Sequence, residues 1–232
     1  MGFFRKRGLP LLLVPALAFG LALAGCGRER EEADREVTAT KPAEEQEVPP
    51  VPSVEPITEE RTFYDFESNL NGWEVPMWAL GKTDYVAQNP PLVSKDAASK
   101  GEASMKVMMD YPGGKWAAGL VEIQQFLDIS PYRAIMTDIY LPADAPEGLK
   151  AKIILTVGSN WKFVEMSQSI PLVPGEWTTI KASIEPGSYD WKRVVPDETF
   201  AEDIRKIAIR VVSNNKPVYN GPVYIDNIRV GR

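Results

Sequence analysis

Aromatic rings and hydrogen-bonding side chains alternate along several segments of this chain. Sugar C–H faces stack on such rings. Sugar hydroxyls pair with carboxylates, amides and guanidinium groups. The combination therefore predicts a saccharide-binding cleft with aromatic and polar walls. Its candidate residues share outward positions on predicted strands: Trp116, Glu122, Gln124, Asp138, Tyr140, Trp161, Glu165 and Arg210.

The same residue types also have a purely structural interpretation. The chain has six tryptophans, and Trp73 and Trp177 stand where strands begin, which favours packing roles. For Trp116 and Trp161, ligand contact and packing at the rim of the sheet remain equally open. Polar residues on an outward sheet face are usually just solvated. Four further rings fall in loops from which they could line a cleft: Trp78, Tyr85, Tyr189 and Trp191.

Composition excludes several kinds of catalysis. The chain has no histidine and a single cysteine. Ser-His-Asp and Cys-His hydrolysis, and zinc sites that need imidazole, are therefore excluded. A glycosidase needs only two carboxylates roughly 5–10 Å apart, so Glu122, Asp138 and Glu165 leave that reaction possible on composition.

The elements that position these residues are predicted to be almost entirely strands. Turn signals such as Asn71-Gly72 and Pro174-Gly175 separate ten β-rich segments, and only 198–205 has a helical pattern. This spacing predicts an all-β sandwich or barrel. The predicted strands are 62–67, 84–88, 103–110, 116–128, 134–141, 151–157, 161–170, 177–184, 206–213 and 222–230.

Alternation within these strands assigns residues to the core. Ile207, Ile209 and Val211 share one face, and Arg210 lies on the other. The same rule sends these residues inward: Ala117, Val121, Ile123, Leu127, Ile135, Ile139, Ile153, Leu155, Val157, Val164, Met166 and Ile170.

The N-terminus has the pattern of a secretory signal. Three basic residues, 5–7, precede an apolar run over 8–24 that ends in small residues directly before Cys26. The stretch resembles the lipobox of bacterial lipoproteins, in which that cysteine is lipidated and becomes the first mature residue. We therefore predict a signal peptide over 1–25, lipidation of Cys26, and an extracytoplasmic protein anchored to the cell membrane or outer membrane only through its lipid.

The segment that follows is predicted to be a disordered tether. Residues 26–61 are rich in acidic residues, basic residues and proline, with almost no aliphatic periodicity. Residues 62–232 then form the single β-sandwich domain. The chain carries 26 basic and 32 acidic side chains, and loss of the signal's three basic residues leaves a net charge of −9. A chain this acidic is a poor candidate for nucleic-acid binding.

The order of motifs in the domain resembles one family of modules. The motifs are Phe63-Tyr64-Asp65-Phe66-Glu67, Ser99 to Val107, Pro174 to Ile180 and Val223 to Val230. Together they look like the jelly-roll carbohydrate-binding modules with a galactose-binding-like fold. The resemblance implies that β-sandwich fold and saccharide binding. It also implies a structural calcium ion, with Glu67 and Asp226 as ligands, and oxygen ligands suit this cation.

Three functions follow as hypotheses. The first is non-catalytic binding of a polysaccharide or oligosaccharide at the cell surface. The second is a small jelly-roll glycoside hydrolase or lyase. The third is a structural module that binds other envelope proteins, since one fold hosts many functions. Burial of both Trp116 and Trp161 would favour the third.

Overall fold

The computed structural model describes residues 56–214 and 217–232. The predicted signal peptide, Cys26 and most of the predicted tether lie outside these residues. Within the described ranges, no helix is long and apolar enough to cross a membrane.

Eleven strands make up the domain. Their bounds are β1 Glu60–Tyr64, β2 Leu92–Ser94, β3 Ser104–Pro112, β4 Ala118–Leu127, β5 Ala134–Tyr140, β6 Lys150–Val157, β7 Lys162–Glu165, β8 Ile170–Pro171, β9 Trp177–Ser183, β10 Ile204–Val212 and β11 Val218–Gly231. They form two sheets in which the paired strands are antiparallel. The prediction of an all-β sandwich is confirmed.

Long strands organise both sheets. In the six-stranded sheet the order is β2-β3-β11-β5-β9, and β1 pairs with the last residues of β11. In the five-stranded sheet the order is β4-β10-β6-β7, and β8 also pairs with β6. Because β10 is flanked by β4 and β6 along its length, its outward side chains lie at the middle of that sheet's outer face.

The core lies between the two sheets and follows the predicted alternation. Ile207, Ile209 and Val211 are each at most 1% exposed. Tyr111 links the sheets: its hydroxyl donates to the Val211 carbonyl at 2.8 Å and accepts from the Gly119 amide at 3.2 Å. A Cβ atom at Gly119 would lie 2.4 Å from the Met109 sulfur, so glycine at this position lets the Met109 side chain pack directly against the backbone of β4.

Three predicted elements differ in the structure. The helix predicted over 198–205 is wrong: the stretch forms turns, in which the Asp197 carboxylate accepts from the Thr199 amide at 3.0 Å, and β10 begins at Ile204. Asp and Thr compete for backbone groups in this way, which favours turns over helix. The predicted strand 84–88 contributes only isolated bridges, at Tyr85 and Ala87.

The third difference concerns Trp161. The predicted strand 161–170 is divided into β7 and β8, and Trp161 precedes β7 in a turn with φ of 55°. A positive φ at a tryptophan is uncommon. Trp161 therefore lies outside the regular strand.

Candidate functional site

A groove lies on the outer face of the five-stranded sheet. Its volume is about 310 Å³. Strands β4, β10, β6 and β7 contribute alternate residues to it, and two loops supply further rings. The lining residues are Trp78, Tyr85, Leu120, Glu122, Ile154, Thr156, Trp161, Phe163, Lys206, Ala208 and Arg210.

The strand register explains the shape of the groove. Glu122, Ala208, Ile154 and Glu165 are consecutive partners in one row across the sheet. The small Ala208 lies between Leu120 and Ile154, and these three form a buried apolar cluster of their own. Across the strands, the row therefore has a low apolar floor between two carboxylates, Glu122 on β4 and Glu165 on β7.

Aromatic rings stand at both ends of the groove. At one end, the ring centroids of Trp78 and Tyr85 are 4.9 Å apart, and those of Tyr85 and Trp116 are 6.0 Å apart. At the other end, Trp161 lies 6.1 Å from Phe126. Trp116 is 36% exposed and Trp161 is 40% exposed, so neither ring is buried in the core.

Ion pairs hold the polar side chains of the groove in place. Lys206 pairs with Glu122 at 2.6 Å. Glu165 pairs with Arg210 and, at 2.9 Å, with Lys192. Burial alone would raise the pKa of Glu165, but hydrogen bonds and charges from Lys192, Arg210 and Lys152 outweigh it and hold that pKa below its ordinary value. Glu165 therefore stays ionised at neutral pH.

Arg210 has a donor without a partner. Its Nε is buried and has no acceptor within the described part of the chain. A buried unsatisfied donor costs about 1–3 kcal/mol.

Most of the predicted ligand residues come together here. Glu122, Trp161 and Arg210 line the groove, and Glu165 borders it through its bond to Arg210. Gln124 is exposed one outward position beyond Glu122 on β4. Trp116 lies behind Tyr85 and extends the aromatic end.

Asp138 and Tyr140 lie elsewhere, so grouping them with the others was wrong. Both are on β5 in the six-stranded sheet. Asp138 is 7% exposed, because a loop crosses it and Ser99 donates to its carboxylate at 2.9 Å. Tyr140 packs on Trp177, with centroids 5.4 Å apart, and on Tyr224 at 6.0 Å.

Asp138 is the centre of a buried polar network. Besides Ser99, it accepts from Thr179 at 2.7 Å, Asn227 at 3.0 Å and Arg229 at 3.0 Å. Burial acts to raise the pKa of Asp138, but these hydrogen bonds and the charge of Arg229 outweigh it and lower that pKa. The network holds β5, β9, β11 and the crossing loop together.

The two predicted calcium ligands converge on that same loop. Glu67 accepts from the Glu102 amide at 2.9 Å, and Asp226 accepts from the Ser99 amide at 2.8 Å and the Lys100 amide at 3.1 Å. Burial raises the pKa of Asp226. The loop therefore turns N–H groups toward both carboxylates, and a cation would have to bind beside these bonds or replace them. The described residues contain no group of three acidic side chains placed for a metal.

Sequence reasoning missed some of the lining residues. Alternation already places Phe163 outward with Glu165, although Phe163 was not among the predicted ligand residues. Lys206 and Ala208 lie on the alternation that contains Arg210, so the same rule could have found them. Trp78 and Tyr85 stand among the loop rings named above. The apolar floor at Leu120 and Ile154 carried no chemical signal, because an outward aliphatic residue resembles a core residue in sequence.

The family of the chain follows from its match to one family model. Residues 61–232 match the model described as carbohydrate binding module 27. The chain belongs to this family. A comparison with curated protein sequences found no match.

Solved structures share the fold of this family 27 module. One is CBM27-1 of Caldicellulosiruptor saccharolyticus in complex with mannohexaose, at 16% identity and a TM-score of 0.50, covering 75% of this chain and 97% of that one. Another is a family 28 module specific for non-crystalline cellulose, at 16% identity and a TM-score of 0.52, covering 75% and 96%. At this identity the likeness shows the β-sandwich fold, and the family match shows carbohydrate binding.

Proposed function

We propose that the module binds a polysaccharide chain along the groove of the five-stranded sheet and holds it at the cell surface. The single observation that carries this proposal is the placement of exposed aromatic rings at both ends of an apolar floor with polar walls. Sugar rings stacked on Trp161 and on the Trp78–Tyr85 pair would place their hydroxyls near Glu122, Lys206 and Arg210.

The geometry favours binding over hydrolysis in this groove. Glu122 and Glu165 stand on strands three spacings apart, so about 14 Å separates their backbones. A glycosidase needs carboxyl groups about 5–10 Å apart, one of them with a raised pKa. Glu165 has a lowered pKa, and Lys206 neutralises Glu122. Asp138 lies on the other sheet and cannot supply the second carboxyl group.

Exposure of the rings also favours a saccharide over a purely structural role. A module that only supported an envelope complex would have no need to hold Trp116 and Trp161 at 36% and 40% exposure beside a groove. Surface attachment rests on the lipobox-like sequence before Cys26 and on the charged segment after it. The anchor would keep a captured polysaccharide close to the cell.

Isothermal titration of the full-length chain tests the proposal. Because a structural relative is complexed with mannohexaose and another is specific for non-crystalline cellulose, the panel begins with manno- and cello-oligosaccharides and adds xylo-oligosaccharides. We expect binding to at least one of them and no release of reducing sugar. Absence of binding to this panel and to carboxylated forms of the same oligosaccharides would overturn the proposal. Labelling by a radioactive fatty acid, lost in Cys26→Ser, tests the anchor.

A further inference from the structure

A second cavity of about 260 Å³, the basic cavity, shares the lining residue Phe163 with the groove. It is lined by Lys162, Phe163, Glu165, Lys192, Arg193 and Val194. Phe163 lines both cavities and is 60% exposed, so its ring forms the step between them. A sugar chain that follows the groove beyond Trp161 would reach the basic cavity.

Positive charge dominates this end of the groove. Glu165 has three cations around it: Arg210, Lys192 at 2.9 Å and Lys152 at 3.9 Å. Lys162 and Arg193 add two more; both are exposed, and the side chain of neither has a hydrogen bond or ion pair in the described ranges. The cavity lining therefore has three cations, Lys162, Lys192 and Arg193, and one carboxylate, Glu165, in a chain whose net charge is −6.

Neutralisation of Glu165 does not account for all of this positive charge. One carboxylate has about four lone-pair sites, and Arg210, Lys192 and Lys152 already supply its counter-charge. Two other carboxylates lie nearby, and neither forms an ion pair with Lys162 or Arg193. Asp190 accepts from the Ser183 amide at 2.7 Å, and Asp197, which lines an adjacent cavity with Lys162, accepts from the Thr199 amide at 3.0 Å. Lys162 and Arg193 therefore present unneutralised charge to whatever enters the cavity.

We propose that the basic cavity binds an anionic group, a carboxylate or a phosphate, carried by the saccharide that occupies the groove. This rests on the proposed function and specifies the class of saccharide: an acidic glycan, with sugar rings on Trp161 and Phe163 and the anion between Lys162, Lys192 and Arg193. Charge-assisted hydrogen bonds from lysine and arginine to such anions are the stronger kind. Arg193, with its planar fork, can bind a carboxylate through two bonds.

Calorimetry with matched saccharides tests this inference. The full-length chain is titrated with neutral and carboxylated oligosaccharides of the same backbone: mannohexaose against hexamannuronate, and cellohexaose against its fully C6-oxidised form. Mannose 6-phosphate forms a separate arm that distinguishes phosphate from carboxylate. We expect an acidic ligand to bind roughly tenfold more tightly than its neutral counterpart, and the advantage to shrink as salt rises.

Variants locate the effect. In the double variant Lys162→Gln with Arg193→Gln, both positions are exposed, so folding should be unaffected and the acidic advantage should be lost. The matched control, Lys95→Gln with Lys181→Gln, removes two exposed lysines from the side of the six-stranded sheet and should change nothing.

Each outcome decides the inference. Tighter binding of an acidic ligand that depends on Lys162 and Arg193 supports it. Equal or tighter binding of the neutral member in every pair, or an acidic advantage that survives the double variant, overturns it and leaves the proposed function intact. Binding of no saccharide, neutral or acidic, overturns both.

Discussion

The outer faces of the two sheets carry similar residues but differ in what covers them. On the five-stranded sheet, Trp161, Phe163 and Glu122 border an open groove. On the six-stranded sheet, Asp138 and Asp226 lie beneath the 95–102 loop, at 7% and 0% exposure. The same alternation of polar and aromatic residues therefore produces a binding surface on one side and a buried network on the other.

The largest expected effect is on the buried side. Replacing Asp138 with alanine removes the buried carboxylate that pairs with Arg229, whose remaining ion pair is with the partly exposed Glu60. It also leaves the donors of Thr179 and Asn227 without their acceptor, so we expect a total cost of about 3–5 kcal/mol of unfolding free energy. For a domain of this size the melting midpoint should fall by roughly 6–20 °C. Thermal unfolding of the full-length chain measures it. The control is Asp110→Ala, an exposed carboxylate on β3 of the same sheet, which should shift the midpoint little.

Substitutions in the open groove of the five-stranded sheet should lower the affinity for saccharide rather than the stability. Trp161→Ala removes a ring that we place against the sugar, and we expect roughly tenfold weaker saccharide binding with little change in the melting midpoint. Trp177→Ala is the matched control, because Trp177 packs on Tyr140 at the outer face of the other sheet. If Trp177→Ala weakened saccharide binding and Trp161→Ala left it unchanged, the site would lie on the six-stranded sheet and our assignment would be wrong.

On the buried side, the carboxylates of Asp138 and Asp226 should have opposite effects on how the stability of the domain changes with pH. Asp138 and Asp226 are partners across β5 and β11, and their pKa values shift in opposite directions. The lowered pKa of Asp138 adds stability above the ordinary carboxyl pKa of about 3.9, and this is lost as pH falls through its folded pKa. The raised pKa of Asp226 has the opposite sign: its contribution is complete below about 3.9 and is lost as pH rises through its folded pKa.

Asparagine variants test these signs. Between pH 2 and 6 the melting midpoint should rise with pH less steeply in Asp138→Asn than in the unmodified chain, and more steeply in Asp226→Asn. Both variants keep an acceptor oxygen, so the hydrogen-bonded loop is retained in part. Parallel profiles in all three proteins would contradict the assignment.

Calcium should have the smallest effect. Glu67 and Asp226 already receive backbone N–H groups, so a bound cation would add only part of its binding energy to stability. We expect the melting midpoint to be a few degrees higher in millimolar calcium than in EDTA, about 2–4 °C for each kcal/mol gained. An unchanged midpoint would count against calcium at these residues.

Local patterns in the sequence were enough to predict the fold class and most of the core. Ile207, Ile209 and Val211 alternate with Arg210, and this period of two places them correctly in the core. The segment 198–205 misled because its apolar residues have helical spacing. Phe200 and Ala201 are buried through turns, and Ile204 is already in a strand.

The candidate site was only partly predictable for a different reason. Alternation shows that Glu122 and Asp138 both point away from the core, but it does not show which sheet each belongs to. That depends on the pairing of β4 with β10 and of β5 with β11: Glu122 is opposite Ala208, 86 positions away, and Asp138 is opposite Asp226, 88 positions away. The cover over Asp138 comes from Ser99 in a distant loop, which no local pattern reveals.

The pairing of β1 with the end of β11 has a mechanical consequence. The Thr58 amide donates to the Arg232 carbonyl at 2.9 Å, and the Arg232 amide donates to the Glu59 carbonyl at 2.9 Å, so the two ends of the sandwich lie side by side. Tension applied between residues 58 and 232 would act across this antiparallel pair and open its hydrogen bonds one after another. Under load, β1 should therefore peel away at low force while the groove, built from β4, β10, β6 and β7, keeps its shape.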